Sequence, residues 1–110
     1  MTNNNEYPTI TPETQRLLDG QEGRDVEFKR SPRAIDAEDI VAFANASGGT
    51  ILAGVDEIEA EGGIQRGIIR GCQVDDQTRQ AIIGKAASCR PAVDIDIRAE
   101  NTETDKPILR

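Results

Sequence analysis

Hydrophobic and polar positions follow two different periods along this chain, and the switches between them mark its elements. Ala37, Ile40, Val41 and Ala44, with Phe43 beside them, recur at i, i+3, i+4 and i+7, which predicts a helix from about Asp36 to a turn over residues 45–49. The helical period then stops. Residues 50–55 are almost wholly apolar, which predicts a central strand covered on both faces and ending at Asp56. Upstream, Val26 and Phe28 alternate with Asp25, Glu27 and Lys29, the period of a half-buried strand that Ser31-Pro32 breaks.

The flanks follow the same logic. Residues 1–10 are polar and without period, so they are expected to be a flexible N-terminal lead, with the domain running over residues 11–110. Thr11-Pro12-Glu13 has the chemistry of a helix start: a hydroxyl N-cap, proline at the first helical position, and an acid near the positive end of the dipole. Leu17 and Leu18 would face inward and Gly20 would end that helix. After Asp56, an acidic loop over residues 56–63 carries two glycines that suit a hairpin, and residues 64–72 with Ile68 and Ile69 are the expected return strand. Asp75 or Asp76 would cap a third helix reaching about Ser88, with Ile82, Ile83 and Ala86 inward. Val93, Ile95 and Ile97 alternate with Asp94, Asp96 and Arg98 as another half-buried strand, and residues 107–110 open one more. The predicted class is α+β, a mixed β-sheet flanked by helices in the order α-β-α-β-β-α-β with a further strand begun.

Composition narrows this picture. At 110 residues, 36% hydrophobic and 3% aromatic, the chain has one modest core built from aliphatic side chains. A domain of this size buries only about two thirds of the surface its unfolded chain exposes. Twenty acidic against thirteen basic residues give a net charge of −7, and ten of the basic residues are Arg. That balance is the one found in proteins of salt-loving organisms, where carboxylates keep the surface hydrated and salt screens their repulsion over ~3 Å at 1 M. With no His and two separated cysteines, Cys72 and Cys89, zinc-finger, zincin and Ser-His-Asp chemistries are excluded within the chain. The cysteines are read as reduced, buried thiols. No apolar run approaches a membrane span, so no membrane partner is expected and the reading is cytoplasmic.

Three acids and four basic residues are the candidates for chemistry. Glu22, Glu27 and Asp56 would converge if the first strand and the central strand were neighbours, and such a cluster suits Mg²⁺ or Mn²⁺. The plainer reading leaves them solvated or paired with Arg24, Lys29 and Arg30. Arg24, Lys29, Arg30 and Arg33 fall within ten positions and are the candidate phosphate contacts. Gly48-Gly49-Thr50 is no P-loop, because its glycines follow a helix and precede a strand, so no ATP site is expected. Asn45 could brace that turn or contact a ligand.

Taken together, Glu22, then 26–29 (Val-Glu-Phe-Lys), 42–45 (Ala-Phe-Ala-Asn), Gly48-Gly49 and 54–56 (Gly-Val-Asp) resemble the Schlafen-type AlbA_2 domain. The resemblance runs from about Thr11 to the end of the chain and is densest between Glu22 and Asp56. It implies an α+β domain that binds DNA or RNA, of the kind found in transcriptional regulators and ATP-dependent helicase-like proteins. In eukaryotic Schlafen proteins the same fold is an endoribonuclease with three metal-binding carboxylates, which match Glu22, Glu27 and Asp56, while Lys29 matches the family's Lys. The alternative it implies is therefore a Mg²⁺- or Mn²⁺-dependent endoribonuclease; otherwise no cofactor is expected. Family domains normally continue past the strand beginning at Lys106, so the domain is expected to be incomplete at its C-terminal end. An edge left open in that way would suit an oligomerisation or interaction module, including a homo-oligomer.

The acidic surface makes one expectation measurable: the melting temperature should rise steadily across a salt series, and a protein equally stable at low salt would remove the salt-adapted reading.

Overall fold

The computed structural model describes residues 6–20, 25–46, 48–59, 61–63 and 65–110. Its helices are α1 (Pro12–Leu18), α2 (Ala37–Ala46) and α3 (Asp76–Ala87); its strands are β1 (Val26–Lys29), β2 (Thr50–Ala53), β3 (Val55–Glu59), β4 (Gln65–Ile69), β5 (Ala99–Glu100) and β6 (Ile108–Leu109). Each helix begins where a side chain satisfies orphan backbone N–H groups. Thr11 Oγ1 accepts from the Thr14 N–H, and Asp75 Oδ1 accepts from the Thr78 N–H at 2.8 Å. At α2 the arrangement is reciprocal: Asp36 accepts from the Asp39 N–H at 3.2 Å and Asp39 from the Asp36 N–H at 3.0 Å. Gly48, at φ 90°, closes the far end of α2 by donating to the Phe43 carbonyl.

The main sheet has the order β1-β2-β6-β5, with β1 and β2 parallel and the other pairs antiparallel. β2 is covered on both faces, as its continuous apolar run requires. Ala53, with Ile51 beside it, joins Ile40, Ile82, Ala86 and Leu109 on the side of α2 and α3. Leu52 joins Leu17, Leu18, Val55 and Ile108 on the side of α1, with Val26, Phe28 and Ile69 against them. The second sheet is the β3–β4 hairpin, registered from Val55↔Ile69 to Glu59↔Gln65. Its Val55 and Ile69 lie on that same second cluster.

Gly54 joins the two sheets. Its φ is 90°, its N–H donates to the Lys29 carbonyl at 2.8 Å, and its carbonyl accepts from the Arg70 and Gly71 N–H groups at 2.7 and 2.9 Å. One residue thus extends the β1–β2 ladder on one side and the β3–β4 ladder on the other.

The expected order holds in outline, with several differences. The run of residues 50–55 is two strands bent at Gly54, and Asp56 stands in β3 rather than at the end of the central strand. The predicted acidic loop is largely strand: the ladder to β4 supplies the backbone partners, and the exposed carboxylates of Glu57 and Glu59 remain in water. Val93, Ile95 and Ile97 are half-buried and Asp94 and Asp96 exposed, as their alternation predicts, but backbone pairing begins only at Arg98, which exchanges N–H···O=C bonds with Arg110 at 3.0 and 2.8 Å ahead of β5. Alternation reports which side is buried, not whether another strand lies alongside. Ile83, expected inward, is 42% exposed, because one helical step of about 100° carries it off the stripe of Ile82 and Ala86.

Of the expected lead-in, residues 6–10 are tied to the C-terminal part of the sheet. The Tyr7 N–H donates to the Ala99 carbonyl at 2.9 Å, the Thr102 N–H donates to the Tyr7 carbonyl at 3.1 Å, and the Arg98 guanidinium stands 5.4 Å from the Tyr7 ring centroid. A second tie is the Glu100 carboxylate, which is fully buried. It accepts from the Thr11 N–H at 2.8 Å and the buried Thr14 hydroxyl at 2.7 Å, with the Arg110 guanidinium at 3.9 Å. The start of α1 is thereby fastened to β5 by a carboxylate that has exchanged water for fixed donors. Among the described residues no helix is long and apolar enough to cross a membrane.

A Cβ on Gly54 would stand 3.0 Å from the Gly71 carbonyl carbon and from Cys72 Sγ, whereas one on Gly48, at the same φ, would meet nothing within 4 Å. Gly54→Ala is therefore expected to cost about 3 kcal/mol and Gly48→Ala only about 1 kcal/mol, read from urea unfolding midpoints. Equal costs would mean that backbone conformation alone, and not the meeting of two sheets, governs Gly54.

Candidate nucleic-acid interface

The site begins at the C-terminal end of β1. Its alternation sends Val26 and Phe28 to the α1 side of the sheet, and Glu27 and Lys29 to the α2 side. There the Lys29 ammonium lies between two carboxylates, 3.5 Å from Glu27 and 3.3 Å from Asp39. Partial burial works to lower the pKa of Lys29, but the hydrogen bond and charge of Asp39, reinforced by Glu27, outweigh it and hold it above the ordinary value. Asp39 is the mirror case. Its burial favours the protonated form, yet the Asp36 N–H and the Lys29 ammonium bring its pKa below the ordinary value. This lysine fastens β1 to the first turn of α2, where a carboxylate also complements the helix dipole.

Arg30, one residue on, lies past the end of β1 and reaches the β3–β4 hairpin. Its Nε lies 3.4 Å from Asp56 Oδ1, while Arg70 Nε donates to Asp56 Oδ2 at 2.8 Å. The three side chains meet because of Gly54, which bonds to the residue before Arg30, stands two residues before Asp56, and accepts from the backbone of Arg70. Arg33 is exposed at the end of a short 3-10 turn (Pro32–Ala34), capped by Ser31 Oγ accepting from the Arg33 N–H at 3.2 Å.

The sequence candidates thus fall in different places. Glu22 and Arg24 lie outside the described residues. Glu27 and Lys29 form an ion pair on the α2 side; Arg30 and Asp56 form another on the hairpin side. Arg70 joins the latter group and was not among the candidates. Had residues 56–59 been read as a strand facing β4, the pairing of Asp56 with Ile68 would have put Arg66 and Arg70 on its face.

For a hard cation the described carboxylates offer little. Both oxygens of Asp56 are engaged by guanidinium groups and Glu27 faces an ammonium, and among the described residues no group of three or more His, Cys, Asp or Glu is arranged to hold a metal ion. Cys72 is half-buried and Cys89 buried, both free; burial raises the pKa of the Cys72 thiol, which donates to the Ala53 carbonyl. Neither is placed as a nucleophile. Asn45 is exposed at the end of α2.

The profile of the Schlafen, AlbA_2 family matches residues 22–109. The chain belongs to the Schlafen AlbA_2 family. The solution NMR structure of the N-terminal domain of a RecG-related protein from Nitrosomonas europaea is similar in fold to this AlbA_2 domain, with a TM-score of 0.61 and 24% sequence identity over 86% of this chain and 68% of that one. A comparison with curated proteins finds no match.

The Lys29–Asp39 pair has a pH signature. A carboxylate held below its ordinary pKa contributes stability above its unfolded pKa of about 3.9 and loses it as pH falls through the lower folded value. Lys29, held above its ordinary value, contributes fully below about pH 10.4 and loses this as pH rises through the folded value. Asn at position 39 keeps an acceptor for the Asp36 N–H and removes only the charge. Asp39→Asn is therefore expected to lower stability at pH 7 and to flatten the loss of stability below about pH 4, measured by urea unfolding at several pH values. Acid limbs of equal steepness in the two proteins would show that this pair carries no such linkage.

Proposed function

We propose that this AlbA_2 domain is a nucleic-acid-binding module, of the kind that serves transcriptional regulators and helicase-like proteins, in which Arg30 and Arg33 meet phosphates. The observation that carries the reading is family membership over residues 22–109, which includes the basic stretch after β1. The structural neighbour's place at the N-terminus of a RecG-related protein, whose name relates it to ATP-dependent DNA helicases, supports the same direction.

Among the basic residues, the geometry favours Arg30 and Arg33 over Lys29. Lys29 is neutralised by two carboxylates and its role is to fasten β1 to α2. Arg30 and Arg33 are exposed. With a net charge of −7, attraction at long range is unfavourable, so binding depends on local contacts and on salt that screens the rest of the surface.

Fluorescence anisotropy with labelled duplex DNA and labelled RNA, over a range of salt concentrations, tests this. Binding is expected to weaken as salt rises above the range that screens the acidic surface. Arg30→Glu and Arg33→Glu should each weaken it by about tenfold and lower the slope of log K against log salt by about one. Absence of binding to either nucleic acid at every salt concentration would end the proposal.

A further inference from the structure

We propose that Asp56 is a positioning residue: it holds Arg30 and Arg70 side by side as a paired-guanidinium clamp for one phosphate group. The identity of the physiological ligand as a nucleic-acid phosphate rests on the function proposed above; the clamp itself rests on the geometry.

Both arginines approach Asp56 through Nε, one to each carboxylate oxygen. A guanidinium held by its Nε–H keeps its terminal Nη groups for another acceptor, and among the described residues neither arginine has a second carboxylate or carbonyl partner. The side chains are 58% exposed for Arg30 and 46% for Arg70, against 35% for Asp56, so the cations are more open to solvent than the acid that joins them. Two guanidinium groups brought this close without an anion would repel each other and spread into solvent. With one carboxylate between them the trio carries a net charge of +1 and presents N–H donors from two planar forks. A tetrahedral anion with several oxygens matches such a display better than a carboxylate does, because it can accept from both forks at once.

Stability alone does not account for the arrangement. Exposed ion pairs contribute about 0–1 kcal/mol, and the hairpin is already fixed by its five registered pairs and by Gly54. Three long or charged side chains have been brought together at the junction of the two sheets, and the backbone that joins the sheets sets their spacing.

The prediction runs against simple charge counting. Asp56→Asn removes a negative charge next to the phosphate, which by Coulomb's law should tighten binding to a polyanion. A clamp that has lost its brace should weaken it instead, by about tenfold, the worth of one hydrogen bond to a charged group. The test combines nucleic-acid titrations of wild type, Asp56→Asn and Arg70→Gln with Arg Nε–H NMR spectra of each protein titrated with inorganic phosphate. Expected results are shifts of both Arg30 and Arg70 signals in the wild type, loss of those shifts in Asp56→Asn, weaker nucleic-acid binding by both variants, and melting temperatures within a few degrees of wild type for Asp56→Asn. Unchanged or tighter binding by Asp56→Asn would overturn the clamp while leaving the nucleic-acid function standing. Phosphate shifts at both arginines without nucleic-acid binding would leave the clamp and overturn the function. Absence of both overturns both.

Discussion

The structure depends on what one backbone position can do. Gly54 turns the chain out of the main sheet at a positive φ, and its N–H and carbonyl serve different ladders. Without that turn, β2 would continue straight, β3 would lengthen the main sheet, and Asp56 would stand beyond β1 rather than beside Arg30. A side chain there is opposed twice, by the dihedral and by the backbone at residues 71–72. The result is a domain with two small aliphatic clusters on opposite faces of one short sheet, held together at a single bend. Few aromatic residues are needed because neither cluster is large.

Charge is organised on the same scale. The chain as a whole is acidic, yet the carboxylates near the end of β1 are each met by a cation: Glu27 and Asp39 by Lys29, Asp56 by Arg30 and Arg70. The choice of cation follows the task. A lysine ammonium is a compact point charge that suits a partly buried position between two acids. An arginine can give one N–H to an internal carboxylate and keep others for an external anion. Glu100 is a third kind of case, a fully buried carboxylate that accepts from a helix N-cap and a hydroxyl and so binds β5 to α1.

Much of this is legible in the residues. The helix caps at Thr11 and Asp75, the inward Leu17 and Leu18, the alternation about Val26 and Phe28 and the continuous burial of β2 all follow from local chemistry and period. Two things are not. Nothing in residues 50–59 except Gly54 marks a change of sheet, because the apolar run crosses the bend without interruption: Ala53 lies in one cluster and Val55 in the other. The polar residues 56–59 also lack the apolar alternation by which a strand is known, since one face of a two-stranded hairpin can stay in water and the ladder itself supplies the order. The partnership of Asp56 with Arg70 was hidden by the same reading, because it exists only if β3 exists.

The most consequential detail is where β1 ends. In sequence, Lys29 and Arg30 are neighbours and look like one basic patch with Arg33. Lys29 is the last residue of β1 and keeps to the face of Glu27, whereas Arg30 lies past the strand and is free of that alternation. Lys29 goes with Glu27 to α2 and is consumed in holding that helix, while Arg30, past the end of β1, reaches the hairpin and meets Asp56. A basic cluster counted across the end of a strand overstates the charge available at any one place, and a second cation beside Arg30 has to come from elsewhere in the fold. Here it comes from Arg70, forty residues downstream of Arg30, delivered by the hairpin that Gly54 turns into place. The anion-facing surface is thus a property of the junction between the two sheets, and no single segment of the chain contains it.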